Sequence, residues 1–333
     1  QPLAEQAITK VIDAQELSPY DKADALVMGV NIAVAKDPTD ANLQQAEAYT
    51  AFLDAMGESV RKQQIRAHAR LGGYYGYADI DAPNLLHHQK ILSLLKTIKT
   101  EEVKEFSYLP LNAYDRIALV HANRGDAERA ISVLQQAKAE ITDPQQSKYL
   151  DESIQRYALV GKAGSEMKGD YWLNVPAATK EIDVRGKVTL IQFTAHWCGP
   201  CRKSYPAMLR YHSQYAKAGL QVMFSTELYG FFEKQQDLKP EAEMAANRGY
   251  YLDHHKIPFP ITVQNPPERK QSEPPSPLLN GTQYHVGGIP QIVLLDREGI
   301  VRLVMIGWDP ANEVRTTRLI EKLLQESPKS AKK

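Results

Sequence analysis

Two patterns of hydrophobic and polar positions divide this chain. From residue 1 to about residue 165, apolar residues recur at helical spacing among Ala, Leu, Gln and Glu, all strong helix formers. Strand-like alternation is scarce there. Breakers recur at Ser18-Pro19, Asp37-Pro38, Ala82-Pro83-Asn84, Leu109-Pro110 and Asp143-Pro144. They cut the pattern into segments of ordinary helix length, which predicts about seven or eight helices packed as antiparallel hairpins. A composition shift at Gly161-Lys-Ala-Gly-Ser165 and Gly169-Asp170 marks the boundary between two expected domains, 1–165 and 166–328.

The second pattern is short apolar runs alternating with helical ones. Strands are expected at Tyr171-Trp172-Leu173, Ile182-Asp183-Val184, from Val188 to Phe193, from Leu220 to Ser225, and at Ile261-Thr-Val-Gln264. Two more follow, Gln291-Ile-Val-Leu-Leu295 and Ile300 to Met305, joined as a hairpin by Asp296-Arg-Glu-Gly299. Helices are expected after Cys201 to about Lys217, from Glu241 to His255, and from Ala311 to Leu324. The run from Val188 to Ser225 reads strand, helix, strand, a crossover unit with a parallel pair. Asn265 to Leu279, with Pro266, Pro267, Pro274, Pro275 and Pro277, reads as a long loop, and Pro328 to Lys333 as a polar tail.

Candidate chemistry lies where the buried strand hands over to its helix. The chain has two cysteines, in Trp197-Cys198-Gly199-Pro200-Cys201. A Cys-x-x-Cys pair at a strand–helix junction reads as a dithiol/disulfide redox site. The helix start offers free N–H groups and the positive end of the dipole, which favour a thiolate. Cys198 is assigned as the exposed attacking thiol and Cys201 as the resolving thiol. Gly199 permits a tight turn, and Pro200 suits the first helical turn. A zinc site would need a second ligand pair that the sequence does not supply. A purely structural disulfide would close a loop too short to stabilise much.

Composition narrows the rest. Hydrophobic residues make up 43%, the formal net charge is zero and the pI is about 7.3. That balance argues against broad electrostatic binding to nucleic acid or anionic membrane. No apolar run nears the ~20 residues that span a bilayer; the best, Ala25 to Ala35, contains Asn31. The chain begins at Gln1, as a mature protein freed of its leader would, so an extracytoplasmic (periplasmic or secreted) location is expected.

Two resemblances sharpen this picture. Tyr114, Ile117, Ala118 and His121 before Gly125, with Ala130, Leu134 and Ala137 after it, resemble one tetratricopeptide unit, although His121 replaces the usual aromatic. The tyrosine-rich stretch Gly72-Gly-Tyr-Tyr-Gly-Tyr-Ala78 reads as interhelix packing. His87 and His88, adjacent on one helix, point to different faces. Residues from about 170 to 325 resemble the thioredoxin superfamily, and within it the TlpA-like thiol–disulfide oxidoreductases. The resemblance rests on Gly186 to Phe193, on Trp197 to Cys201, on Pro206 in the following helix, on Gly288-Ile289-Pro290 and on the Asp296–Gly299 hairpin. It implies a thioredoxin fold and no cofactor. It implies that Pro290 is a cis-proline, that Ile289 and Pro290 present the backbone of a substrate, and that Trp197 covers the sulfur. Trp197, Gly199, Pro200, Ile289 and Pro290 are thus the expected substrate-binding residues. Gln192 stands where thioredoxins carry a buried Asp, and Ser204 where many TlpA-like proteins carry a Glu. Proton transfer to Cys201 is left to water, to a residue of the insertion, to His196, expected at the solvent surface, or to the Gln192 position.

The expected function is thiol–disulfide exchange with protein substrates, in the reducing direction, fed by an upstream redox partner. The rival readings are a thiol peroxidase, which would need a Thr where His196 stands, a partner-binding adaptor with a vestigial redox domain, and a thiol carrier of copper.

Overall fold

The computed structural model describes residues 2–35, 38–98, 100–176, 178–266 and 279–326. Most of the expected proline-rich loop, 267–278, and the tail, 327–333, lie outside them. The chain divides into two compact units, Gln1–His121 with Ser132–Leu150, and Ala122–Ile131 with Asp151–Lys333. Among the described residues, eight α-helices come first: α1 (Pro2–Asp13), α2 (Pro19–Ala33), α3 (Asp40–Ala55), α4 (Arg61–Tyr77), α5 (Asp81–Leu95), α6 (Leu109–Asn123), α7 (Ala127–Glu140) and α8 (Pro144–Tyr157).

In the first unit the breakers act as caps. The Ser18 hydroxyl accepts the Asp21 N–H at 3.2 Å, with Pro19 opening α2. Thr39 and Asn42 form a capping box at α3. Ala23, Leu26, Val30, Leu53 and Leu71 fill one core. Gly72 lets α4 approach α5, since a Cβ there would lie 2.8 Å from His88 Cε1. Tyr75, in the tyrosine-rich stretch, packs inward with its hydroxyl on Glu47 at 2.7 Å, whereas Tyr77 is exposed. His87 and His88 do part. His88 donates from Nδ1 to the Asn84 carbonyl at 2.8 Å. His87 joins a buried chain, with its Nδ1 2.8 Å from His68 Nδ1, His87 Nε2 on Glu47 at 3.1 Å and His68 Nε2 on Asp54 at 3.2 Å.

The second unit is a six-stranded sheet covered on both faces. Its strands are β2 (Tyr171–Leu173), β4 (Val188–Phe193), β5 (Leu220–Glu227), β6 (Ile261–Gln264), β7 (Gln291–Leu295) and β8 (Val301–Ile306), in the order β2-β6-β5-β4-β7-β8. A separate two-stranded ribbon pairs β1 (Met167–Lys168) with β3 (Glu181–Ile182). β3 is shorter than the strand expected there, because Asp183 turns to hold Arg185 instead. β4 runs parallel to β5, and α9 (Gly199–Tyr215) supplies the crossover that a parallel pair needs. β7 and β8 form the expected antiparallel hairpin.

Every residue of β4 is buried, which explains its near-continuous apolar sequence. Its side chains alternate between two clusters. Val188 and Leu190 join Tyr205 and Met208 of α9, and Ile320 and Leu323 of α12 (Pro310–Gln325). Ile191 and Phe193 join Val160, Met167, Val184 and Tyr284 on the other face. The glycine-rich stretch after α8 lies against the edge of β8, where Gly161 N–H donates to the Val301 carbonyl at 2.8 Å. Gly164 cannot carry a side chain there, since a Cβ would lie 2.2 Å from Leu295 Cδ2. The remaining helices are α10 (Pro240–Arg248), continued by a π-helical turn at Gly249–His254, and the short α11 (Leu279–Gln283).

Candidate active site

The two cysteines form a disulfide, with S–S 1.98 Å, where β4 ends and α9 begins. Cys198 is the N-cap of α9, and its sulfur accepts the Cys201 N–H at 3.2 Å. Pro200 lies in the first turn, where no N–H is needed. Gly199 is not in the left-handed region, and a Cβ there would meet only Arg202 at 3.6 Å, so the turn does not demand glycine. Arg202 donates to the His196 carbonyl at 3.2 Å and ties the loop to the helix.

The sulfurs are covered. Cys198 is 3% exposed and Cys201 0%, so Cys198 is not the open thiol that its loop position suggests. Trp197, 49% exposed, and Pro200 are the outward residues of the motif. Ile289, joined to Pro290 by a cis peptide bond, packs against the cluster that holds both sulfurs. Pro290 itself is buried, and its carbonyl accepts the Gly307 N–H at 2.8 Å.

Gln192 is fully buried and points toward α9. Its Nε2 donates to the Cys201 carbonyl at 3.4 Å, and its Oε1 accepts from Ser204 Oγ at 2.7 Å. Ser204 Oγ also lies 2.6 Å from the Cys201 carbonyl. The two positions where this chain departs from its resemblance thus bond to each other, beneath Cys201.

His196 is not at the solvent surface. It is 4% exposed, because aromatic rings enclose it. Phe232 stacks on it at 4.6 Å, and Tyr229 and Phe231 meet it edge-on at 5.7 and 5.2 Å. Burial pushes its pKa down to about 4, against a hydrogen bond with the Phe231 backbone, so the ring is neutral at neutral pH. It is therefore no imidazolium partner for a thiolate. Its Nε2 has no hydrogen-bond partner among the described residues.

This aromatic loop and the residue beneath it are not among the expected site residues. Glu243, on α10, is 0% exposed, and its two oxygens accept the N–H groups of Tyr229 and Gly230, each at 2.8 Å. The aromatic run Tyr229-Gly-Phe-Phe232 directly after a strand was the available signal. Among the described residues, no group of three or more His, Cys, Asp or Glu could hold a metal ion, and no helix is long and apolar enough to cross a membrane.

The C-terminal half of the chain is similar in sequence to several known proteins. The chain is 30% identical over 165 residues to the protein DipZ of Mycobacterium bovis, covering 48% of this chain and 20% of DipZ. It is 27% identical over 152 residues to the thioredoxin-like protein YneN of Bacillus subtilis, 44% of this chain and 74% of YneN. The thiol-disulfide oxidoreductase ResA of Geobacillus thermodenitrificans is 24% identical over 133 residues, 40% of this chain and 62% of ResA. Over its C-terminal half the chain is similar to thioredoxin-like proteins. Of these relatives, YneN is named a thioredoxin-like protein and ResA a thiol-disulfide oxidoreductase. Of solved structures, a thiol-disulfide isomerase from Corynebacterium glutamicum covers 50% of this chain at 24% identity and TM-score 0.38, with 98% of that chain matched. No family model matches the chain. The chain spans a fifth of the length of DipZ and about three fifths of that of ResA.

Proposed function

We propose that this protein exchanges its Cys198–Cys201 dithiol with disulfides of protein substrates, acting as a reductase. One observation carries the reading: the Cys198 sulfur caps α9 and receives the Cys201 N–H. Once the pair is reduced, that N–H and the helix dipole favour a thiolate at Cys198. The thiolate attacks one sulfur of a substrate disulfide, and the other substrate sulfur leaves as a thiolate and takes a proton. Cys201, deprotonated, then attacks Cys198 in the mixed disulfide. The Cys198–Cys201 bond forms, and the second substrate sulfur departs. Two electrons pass to the substrate, and an upstream redox partner must return them. No cofactor enters this cycle.

Trp197, Gly199 and Pro200 form the outer surface against which the substrate lies, and the Ile289–Pro290 backbone faces it across the disulfide. Gln192 and His196 serve this site by fixing its walls, since Gln192 cannot titrate and His196 is neutral. The helical hairpins, tetratricopeptide-like at Tyr114–Ala137, choose the partner. An extracytoplasmic location suits a protein whose two cysteines are paired.

The test uses a purified disulfide-bonded protein and the dithiothreitol-reduced chain. Cys198→Ser is expected to abolish reduction, and Cys201→Ser to trap a mixed disulfide visible by mass. Full reduction by the Cys198→Ser protein would refute the reading and favour the adaptor.

A further inference from the structure

The loop after β5 is built for a purpose that the disulfide chemistry does not require. It closes on itself: Leu238 N–H donates to the Gly230 carbonyl at 2.8 Å, and Phe232 and Gln235 exchange backbone bonds at 2.9 and 3.0 Å. Gly230 sits at φ 75°, in the left-handed region. What anchors this loop to the domain is Glu243. A fully buried carboxylate is costly unless its oxygens are well bonded. Here the two oxygens are spent on the backbone of Tyr229 and Gly230, so the fixed object is the position of the loop. Burial also pushes the carboxyl's pKa up, against those two hydrogen bonds.

The rings so placed border the motif. Tyr229 meets exposed Trp197 edge-on at 5.5 Å, and Phe231 and Phe232 cover His196, two residues before Cys198. Tyr229, Phe231 and Phe232 are each partly exposed, while Glu233, Lys234 and Asp237 farther along the loop are exposed and charged. Trp197 and the loop therefore offer partly open aromatic faces beside the sulfurs, and such faces favour aromatic and large aliphatic side chains.

We propose that Glu243 is a positioning residue that sets the Tyr229–Phe232 loop as one wall of the substrate cleft, and that this wall selects protein disulfides with an aromatic or large aliphatic residue beside the cysteine. The proposal rests on the exchange reading above and adds its specificity.

The experiment compares two disulfide-linked peptides that differ only in Phe or Ser next to the cysteine. The wild-type chain is expected to favour the Phe peptide by about tenfold in kcat/KM, the range a single apolar pocket supplies. Glu243→Gln is expected to remove most of that preference through KM. Its Cys198–Cys201 midpoint potential and its rate with dithiothreitol should stay within twofold of wild type. Phe231→Ala, which leaves the carboxylate and its bonds in place, should lose the preference equally if Glu243→Gln folds poorly. A wild-type chain without preference, a preference that survives both variants, or a shifted potential overturns the proposal. If the wild type exchanges with neither peptide, the exchange reading falls and the specificity falls with it. The positioning role is then judged from amide hydrogen exchange at Tyr229 and Gly230, at least tenfold faster in Glu243→Gln if the carboxylate holds the loop, and unchanged if it does not.

Discussion

Replacing His88 by Gln should flatten the acid sensitivity of the helical unit. His88 is 2% exposed, and burial, with help from the charges of Arg116 and His87, pushes its pKa down to about 4 even though the Asn84 carbonyl accepts its Nδ1–H. In the unfolded chain the ring titrates near 6.5. The folded pKa is lower, so the unfolded state binds the proton first as pH falls. The stability that His88 contributes by staying neutral is whole above about pH 6.5 and is lost toward about pH 4. A gap of about 2.5 pH units is worth on the order of 3 kcal/mol, of which about 2 kcal/mol is gone by about pH 5. Burial raises the pKa values of Glu47 and Asp54, but the hydrogen bonds and charges of His87, Tyr75 and His68 at Glu47, and of His68 and Lys90 at Asp54, together lower them, so both add acid sensitivity only nearer and below the ordinary carboxylate range. The window between pH 7 and 5 thus isolates the histidines. Urea unfolding followed by helical circular dichroism at those two pH values gives the difference for each protein. His196 and His255, also held low by burial, contribute to both proteins and cancel. The wild type is expected to lose about 2 kcal/mol more than His88→Gln across the window. Equal losses would refute the argument and show that His88 reaches water in the folded state.

After reduction, a substoichiometric alkylating agent should label Cys198 before Cys201, because Cys198 receives the helix N–H while Cys201 is fully buried; peptide mapping decides, and equal labelling counts against the assignment. Gly72→Ala should destabilise by about 1–2 kcal/mol in urea unfolding, since overpacking outweighs the helix gain of about 0.5–1 kcal/mol: its Cβ would sit 2.8 Å from His88 Cε1 and 3.2 Å from His87 Cβ. Gly73→Ala, which meets nothing within 4 Å, should instead stabilise by about 0.5–1 kcal/mol. Ser204→Ala should cost about 1–3 kcal/mol by leaving Gln192 Oε1 unpaired, and adding Gln192→Leu should restore most of it; additive losses would mean the two side chains act apart.

What the sequence made legible is what depends on neighbours along the chain. Cys198 and Cys201 lie three residues apart at a strand–helix junction, and both the disulfide and the helix cap follow from that spacing. The strand runs, the crossover helix and the β7–β8 hairpin were legible for the same reason, since period and turn chemistry are local. His196 departs from its expected surface position because strand alternation gives a direction without saying what waits there. Phe231 and Phe232 stand more than thirty positions later and return to cover it. Cys198 looked open for a similar reason, since no local pattern showed how far the surrounding core would close over it.

Gln192 makes the sharper case. In a strand buried on both faces, a glutamine reads as a misfit, or as a stand-in for a titrating acid. The alternation of β4 sends it to the α9 side with Val188 and Leu190. There it finds Ser204, one turn past Cys201, and the Cys201 carbonyl. Each of the two polar residues is costly to bury alone, and each is satisfied by the other. Their meaning is a property of the pair, separated by twelve positions and joined only when α9 folds back along the strand. The same logic separates Glu243 from the loop it holds, thirteen and fourteen positions away. The sulfur chemistry is written in one short motif. The surroundings that orient it are written in pairs, and a pair declares itself only once the fold brings its members together.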